Sequence, residues 1–430
     1  MTLFPRERSG TALFGAETPP GHGEDPSGGD PPGGDPWSGS RAGAGPVIDQ
    51  GPVRQAWTFN APKLIVSRMQ DHVVETSDGH LHALVNLGGR RGLTLLSSED
   101  AGQSWQRAGE IPDTADSSAD IRLVDGEDRL LVVTATGEGS VIYAAYDYDP
   151  ADGSWSLAVT SEVTGGVDDA STNPTIVMDD GGRLAVACNV ETPDGLALVL
   201  AWSDDGLTWT RAEPLVDPDV AAGSFRVLST PDGIGVLAAT ADAFTFLAYD
   251  AGTGEWTSEP VSGTGAAGRF ASHFSTTTLG EDIVLASVGE DEVVRVVLYD
   301  GGTGTWGAPA APLGDLAATN VQISAGADGS LHLVADDHDS PGRLVVYESE
   351  DGGASWSEEA VLQVPRLLRT EPLPFEIPDL PLVRFEAPEH FDDELVVLTQ
   401  VNVPGVYGVS GLYSFVIDTV SDTVEDVALL

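Results

Sequence analysis

Seven groups of polar side chains stand just ahead of short apolar runs, and they hold most of the residues in this chain that could do chemistry. They are Asp71 and His72, Asp120 and Arg122, Asn173 and Thr175, Ser224 and Arg226, Ser272 and His273, Asn320 and Gln322, and Arg384. Carboxylates, imidazoles, amides and guanidinium groups brought to one mouth would form a polar pocket with several cations. The same residue types also serve a plainer purpose, hydrating a channel and satisfying the ends of strands. The sequence leaves both readings open, and no complete catalytic set can be read from it.

Other reactive residues are sparse. His80, His82 and His332 fall in the second β-rich runs of their repeats and read as strand residues. His338 lies in ADDHDSPG with Asp336, Asp337 and Asp339, which reads as a solvated acidic loop rather than a cation site. The segment DYDPADG fails as a calcium loop, because its third acidic residue is one place late for that spacing. Cys188 is the only cysteine; it sits in RLAVACNV and reads as a small buried hydrophobe. No metal and no cofactor are implied.

The residues that must position these groups form a repeat. A tight turn ending in tryptophan recurs as SEDAGQSW, YDPADGSW, SDDGLTW, YDAGTGEW, YDGGTGTW and SEDGGASW. Its aspartates are Asp100, Asp149, Asp205, Asp250, Asp300 and Asp351; its tryptophans are Trp105, Trp155, Trp209, Trp256, Trp306 and Trp356. The tryptophans are spaced by 50, 54, 47, 50 and 50 residues. Around each turn lie four short β-rich runs separated by Gly, Asp and Pro, the pattern of an antiparallel meander. A four-stranded meander repeated at this period predicts an all-β propeller blade. A worn seventh copy runs through DDELVVLTQV, GLYSFVID and IDTVSDTV, with Asp418 at the turn and Val424 at the tryptophan position. Seven blades are therefore expected, with six blades and a C-terminal cap as the alternative.

The turn has a physical rationale of its own. Aspartate accepts backbone N–H groups inside a hairpin, glycine supplies positive φ, and the tryptophan covers the junction with the adjacent blade. The serine-led copies at Ser98–Trp105 and Ser349–Trp356 match Ser-x-Asp-x-Gly-x-Ser/Thr-Trp in full, and the copy at Ser203–Trp209 is one residue shorter. Over roughly residues 60–430 the chain resembles the Asp-box, sialidase-like propeller superfamily. The resemblance implies that ligands bind on the face where the innermost strands begin, with the tryptophan turns on the opposite face. It also names a chemistry to test: an arginine cluster, an acid/base aspartate and a tyrosine nucleophile. Arg68, Arg122, Arg226 and Arg384, Asp71 or Asp120, and Tyr407 or Tyr413 are the available residues. The Phe/Tyr-Arg-Ile-Pro motif of sialidases is missing; VSRMQD and SFRVLS come nearest, and both lack the proline.

Composition sets the outer bounds. The chain has 430 residues and a net charge of −48, and Lys63 is its only lysine. Such a surface repels phosphate backbones, which argues against nucleic acid as a partner. It also repels itself unless salt screens it. A salt-rich, halophilic setting and a lysine-poor genome both account for this composition. No run of about 18 apolar residues suggests membrane insertion, and no secretory signal is legible at the N-terminus.

Residues 1–55 read as a Pro/Gly-rich arm carrying GGDP repeats, with 56–430 as the propeller. Leu13 and Phe14 stand out as the apolar pair that could anchor the arm. These features favour a non-enzymatic binding module that presents loops to a glycan, a surface receptor or another protein. Its arm would tether it to a larger assembly such as a virion or tail-like particle; otherwise the chain is expected in the cytoplasm. A sialidase-type exo-glycosidase and a cytoplasmic assembly factor or scaffold are the alternatives.

Overall fold

The computed structural model describes residues 58–59, 69–85, 93–111, 114–124, 126–136, 139–164, 171–193, 195–216, 224–231, 233–240, 242–250, 252–265, 268–364, 383–402, 410–419 and 423–425. The chain divides into two units, residues 1–44 and 45–430, and only the second contains described residues. The arm, its anchor pair Leu13 and Phe14, and Arg68 and Tyr407 all lie outside them.

Seven separate antiparallel meanders follow one another in chain order. Blade 1 spans 73–111, blade 2 114–164, blade 3 171–211, blade 4 224–261, blade 5 274–306, blade 6 321–363 and blade 7 383–425. One 3-10 turn, Gly268–Phe270, is the only helical element among the described residues. Each second strand is a nearly unbroken apolar run, such as Leu184–Thr192 with LAVAC or Glu394–Asn402 with LVVL. Both of its faces are covered, so alternation is lost there. Outer strands such as Ser154–Thr164 keep mostly exposed side chains.

Every junction between successive blades holds its own apolar core. Leu84, Leu95, Ile121 and Val132 join blades 1 and 2; Val133, Tyr143, Val186 and Val199 join 2 and 3. Equivalent clusters join 3 to 4, 4 to 5, 5 to 6 and 6 to 7. The last set closes the ring: Val73, Ala83 and Leu96 of blade 1 pack on Leu398 and Leu412 of blade 7. Thr58–Phe59 also pairs with Ser410 and Gly411 on the third strand of blade 7, while Thr423–Glu425 pairs farther along the same strand. The outermost place of the closing blade is thus shared by strands from the two ends of the unit. Closure leaves no meander with an uncovered face.

The register settles the seventh repeat. Tyr148, Tyr249 and Tyr299 pair with Trp155, Trp256 and Trp306, and Ile417 pairs with Val424 in the same way. The worn copy is therefore a full blade. Its proline-rich insertion, residues 365–382, lies outside the described residues.

Each tryptophan covers the junction with the blade before its own. The indole N–H donates to Ser414 from Trp105, to His82 from Trp155, to Ser161 from Trp209 and to the Glu213 carbonyl from Trp256, at 2.9–3.2 Å. Inside the turn, Asp100 Oδ1 accepts the Ser104 N–H at 2.7 Å and Ser98 Oγ accepts the Gly102 N–H at 2.8 Å. Asp351 and Ser349 repeat these bonds. In the shorter turn Asp205 accepts from Leu207 and Thr208, both at 2.8 Å.

The turn's glycine also meets the neighbouring blade. A Cβ on Gly206 (φ 67°) would fall 2.8 Å from the Tyr143 ring of blade 2, whereas none would meet anything within 4 Å at Gly182 (φ 80°). Both Gly→Ala changes incur left-handed strain of about 1–2 kcal/mol. Only Gly206→Ala adds overpacking of about 1–3 kcal/mol. Urea denaturation should therefore show a lower midpoint for Gly206→Ala than for Gly182→Ala, and equal midpoints would contradict this junction.

Candidate functional site

The innermost strand of each blade, apart from that of blade 6, is a sheet edge. Its outward N–H groups have no ladder partner, so they need acceptors from elsewhere. The inner-strand pairings define one equivalent position per blade: His72, Asp120, Thr175, Arg226, Ser275, Gln322 and Glu386. The last six lie opposite Val133, Ala187, Leu237, Ala286, Val334 and Leu398, and the His72 carbonyl accepts the Leu84 N–H. All seven side chains are buried.

Several of them reach the inner strand of the next blade. Asp120 Oδ2 accepts the Ile176 N–H at 2.8 Å, Thr175 Oγ1 accepts that of Val227 at 3.0 Å, and Ser275 Oγ accepts that of Ile323 at 3.3 Å. Gln322 donates to the Ala387 carbonyl at 3.3 Å, and Glu386 accepts the His72 N–H. Polar side chains of the inner strands thus lock blades 2 to 3, 3 to 4, 5 to 6, 6 to 7 and 7 to 1 together around the axis.

The lead-in to blade 1 crosses that axis. Met69 is buried among Leu237, Phe244 and Phe274 of blades 4 and 5, on the far side of the ring. Gln70 donates to the Pro174 carbonyl of blade 3 at 2.6 Å. Asp71 forms an ion pair with Arg226 of blade 4, whose Nη1 also donates to the Met69 carbonyl at 2.5 Å. The Asp71 N–H donates to Asp120 Oδ1 of blade 2 at 2.7 Å. His72 Nδ1 lies 2.9 Å from Glu386 Oε2 of blade 7. Four consecutive residues therefore touch blades 2, 3, 4, 5 and 7.

A second insertion meets the first. After Glu386 the inner strand of blade 7 leaves its own sheet, and His390–Phe391 pairs in parallel with Ala325 and Gly326 of blade 6. Glu389, within this crossover, forms an ion pair with Arg122 of blade 2, and its carbonyl accepts Thr277 Oγ1 of blade 5 at 2.9 Å. Arg122 also stands 3.4 Å from Asp71.

Burial and charge together set the ionisation of this network. Burial alone would raise the Asp71 carboxyl; Arg226 and Arg122 outweigh it and hold the group below its usual range. Asp120 is pushed up by burial, with Arg226 opposing and Asp71 adding to the rise. Burial likewise raises Glu386 despite His72 beside it. Burial disfavours the charged form of His72, but Glu386, Asp120 and Asp71 overcome this and raise it. Arg226, 1% exposed, stays charged because Asp71 and Asp120 face it.

The structure brings Asp71, His72, Asp120, Arg122 and Arg226 into one cluster, and most of it is sealed from solvent. Gln322 belongs to the same lock. Arg384, half-buried, stands two residues ahead of Glu386, and Asn173 (φ 50°) sits in a bulge two residues ahead of Thr175. His273 contacts the Thr319 carbonyl through Nδ1. The Asn320 backbone N–H donates to Asp336 at 2.6 Å, and its side-chain amide is buried. Tyr413 is buried on the third strand of blade 7, and burial pushes its hydroxyl up to about 12.

His80 precedes its strand rather than lying in it, and bonds the Tyr148 hydroxyl at 2.8 Å. In the His338 loop the imidazole pairs with Glu292, and Asp336 caps Thr319 and Asn320. No cluster of His, Cys, Asp and Glu suited to a metal occurs among the described residues. Sequence reasoning missed Glu386, Glu389, Met69 and Gln70. Glu386 carried a signal, since it ends the short strand that Arg384 was taken to open; the other three carried none.

The chain matches no protein-family model and no curated protein. Among solved structures, AofleA from Arthrobotrys oligospora is 10% identical, covering 72% of this chain and 89% of its own, with a TM-score of 0.49. The fucose-recognising lectin of Aleuria aurantia, a six-bladed propeller, is 12% identical over 70% of this chain and 96% of its own, at 0.45. A candidate 6-phosphogluconolactonase from Bacteroides fragilis is 13% identical over 82% and 92%, at 0.48.

His72 and Glu386 both hold their protons to higher pH in the fold than in the unfolded chain. The fold therefore binds more protons, and stability falls as pH rises. The histidine contribution is complete below its unfolded value of about 6.5 and is lost as pH climbs through the folded value. Glu386→Gln keeps an acceptor for the His72 N–H and removes the charge. Its urea midpoint should fall less steeply than that of the parent between about pH 6 and 8; an identical slope would contradict the pairing.

Proposed function

We propose that this chain is a non-catalytic binding module: a propeller that offers its surface to a glycan and is held by the segment ahead of it in a larger assembly, such as a virion or tail-like particle. One observation carries this reading. The residues that would perform glycoside hydrolysis at the axis are spent on holding the blades together. A catalytic acid must exchange a proton with the leaving group, so it must reach substrate. Asp120 is 0% exposed, and its two oxygens accept the backbone N–H groups of Asp71 and Ile176. Asp71 is bound to Arg226, and Glu386 to His72. Tyr413, buried and raised to about 12, is a poor nucleophile near neutral pH.

The test pairs catalysis with assembly. The full chain should leave fluorogenic sialosides and neutral glycosides uncleaved. Removing residues 1–50 spares Thr58–Phe59, which closes blade 7, so the propeller should stay folded while co-purification with source particles is lost. Turnover that disappears in Asp120→Asn would overturn the non-catalytic reading. Undiminished co-purification of the shortened chain would overturn the tether.

A further inference from the structure

An open groove of about 720 Å³ runs over the end of blade 4, between blades 3 and 5. That volume lies within the range of about 300–1,000 Å³ that small-ligand sites occupy. One wall is aromatic: Trp202 of blade 3 and Tyr249 of blade 4, both partly buried, have ring centroids 5.7 Å apart at 38°. The opposite side carries Phe246 and Tyr299.

Trp202 lies outside the repeat pattern. It directly precedes the turn-opening Ser203, and the equivalent places in the other blades hold Ser97, Asp147, Ala248, Leu298, Glu348 and Val416. A tryptophan outside the repeat, partly buried on the core between blades 3 and 4 beside Tyr249, gives this groove an aromatic surface.

Polar groups surround these rings. Asp179 Oδ1 accepts the N–H groups of Gly181 and Arg183, and Asp250 Oδ1 accepts that of Gly252 at 2.7 Å. Those bonds fix both carboxylates at the rim, and the N–H groups around Asp250 hold its carboxyl below the usual range, so it is ionised. Glu259 adds a third acid. Arg183 is the only basic residue lining the groove among the described residues, and it already pairs with Asp204 at 3.0 Å.

We propose that this groove binds a neutral saccharide, and that its charge rejects acidic sugars. The apolar C–H face of a pyranose packs on an indole or phenol ring. Ionised carboxylates are pure acceptors and suit vicinal hydroxyl donors. A carboxylate-bearing sugar would meet three acids and one neutralised arginine in a chain of net charge −48. The inference rests on the glycan-binding reading above and adds the place and the ligand class.

The experiment uses the full chain on an array of oligosaccharides printed with and without terminal sialic acid. The strongest neutral ligand is then titrated in solution against tryptophan fluorescence. Neutral glycans should bind, and adding sialic acid should weaken them by roughly tenfold or more at low salt, less at high salt. Trp202→Ala should lose roughly tenfold in affinity, Trp202→Phe should stay within about threefold, and Asp179→Asn should lose affinity without a change in melting temperature. Preferential binding of sialylated glycans would overturn the neutral selectivity while leaving glycan binding intact. Neutral binding untouched by Trp202→Ala and Asp179→Asn would overturn the site. No binding across the array would overturn both the site and the glycan reading.

Discussion

Met69, Gln70, Asp71 and His72 form a plug across the ring axis, and the other blades are organised around it. Seven meanders arranged in a circle turn the N–H groups of their inner strands toward one another, outside each blade's own ladder. The chain supplies its own acceptors for several of them. Asp120, Thr175, Ser275 and Glu386 each accept a neighbour's N–H, and the plug ties blade 1 to partners across the ring. Buried charge is tolerable here because the axial carboxylates are paired or bonded to backbone donors: Asp71 with Arg226, Glu389 with Arg122, Glu386 with His72, and Asp120 with two N–H groups.

This arrangement determines where ligand chemistry can occur. Groups sealed inside the axial lock cannot also meet a substrate, so the usable features lie on surfaces that the lock does not consume. The repeat makes most of that periphery uniform. Trp202 departs from it, and it lines a groove together with Asp179, Asp250 and Glu259. The strongly acidic surface acts at longer range, repelling anions of every kind when salt is low.

The blades were legible because their constraints are local and periodic. Tryptophan spacing, turn aspartates and apolar second strands all repeat about every fifty residues, and even the worn copy at Asp418 and Val424 has the register expected of it. The polar strand openings were legible as positions too. Their environment was not. Asp120 or Arg226 in a sequence reads the same whether it faces water or a neighbour's N–H. The lock also links residues 48 to 314 places apart, with no local pattern to announce the partner. Glu389 and Met69 belong to no repeat position, so their crossing of the axis follows only from three-dimensional packing. Trp202 was hidden in another way, because the eye follows the six periodic tryptophans and passes over one that is out of phase.

The plug is tested most directly by a double-mutant cycle in urea on Asp71→Asn and Arg226→Gln. If these side chains hold opposite sides of the ring together, each single change should cost about 3–5 kcal/mol, because it strands a buried charge. The double variant should then cost much less than their sum, with a coupling energy well above ~0.5 kcal/mol. Single-variant costs near zero, or effects that add within about 0.3–0.5 kcal/mol, would show that the ring does not depend on this pair.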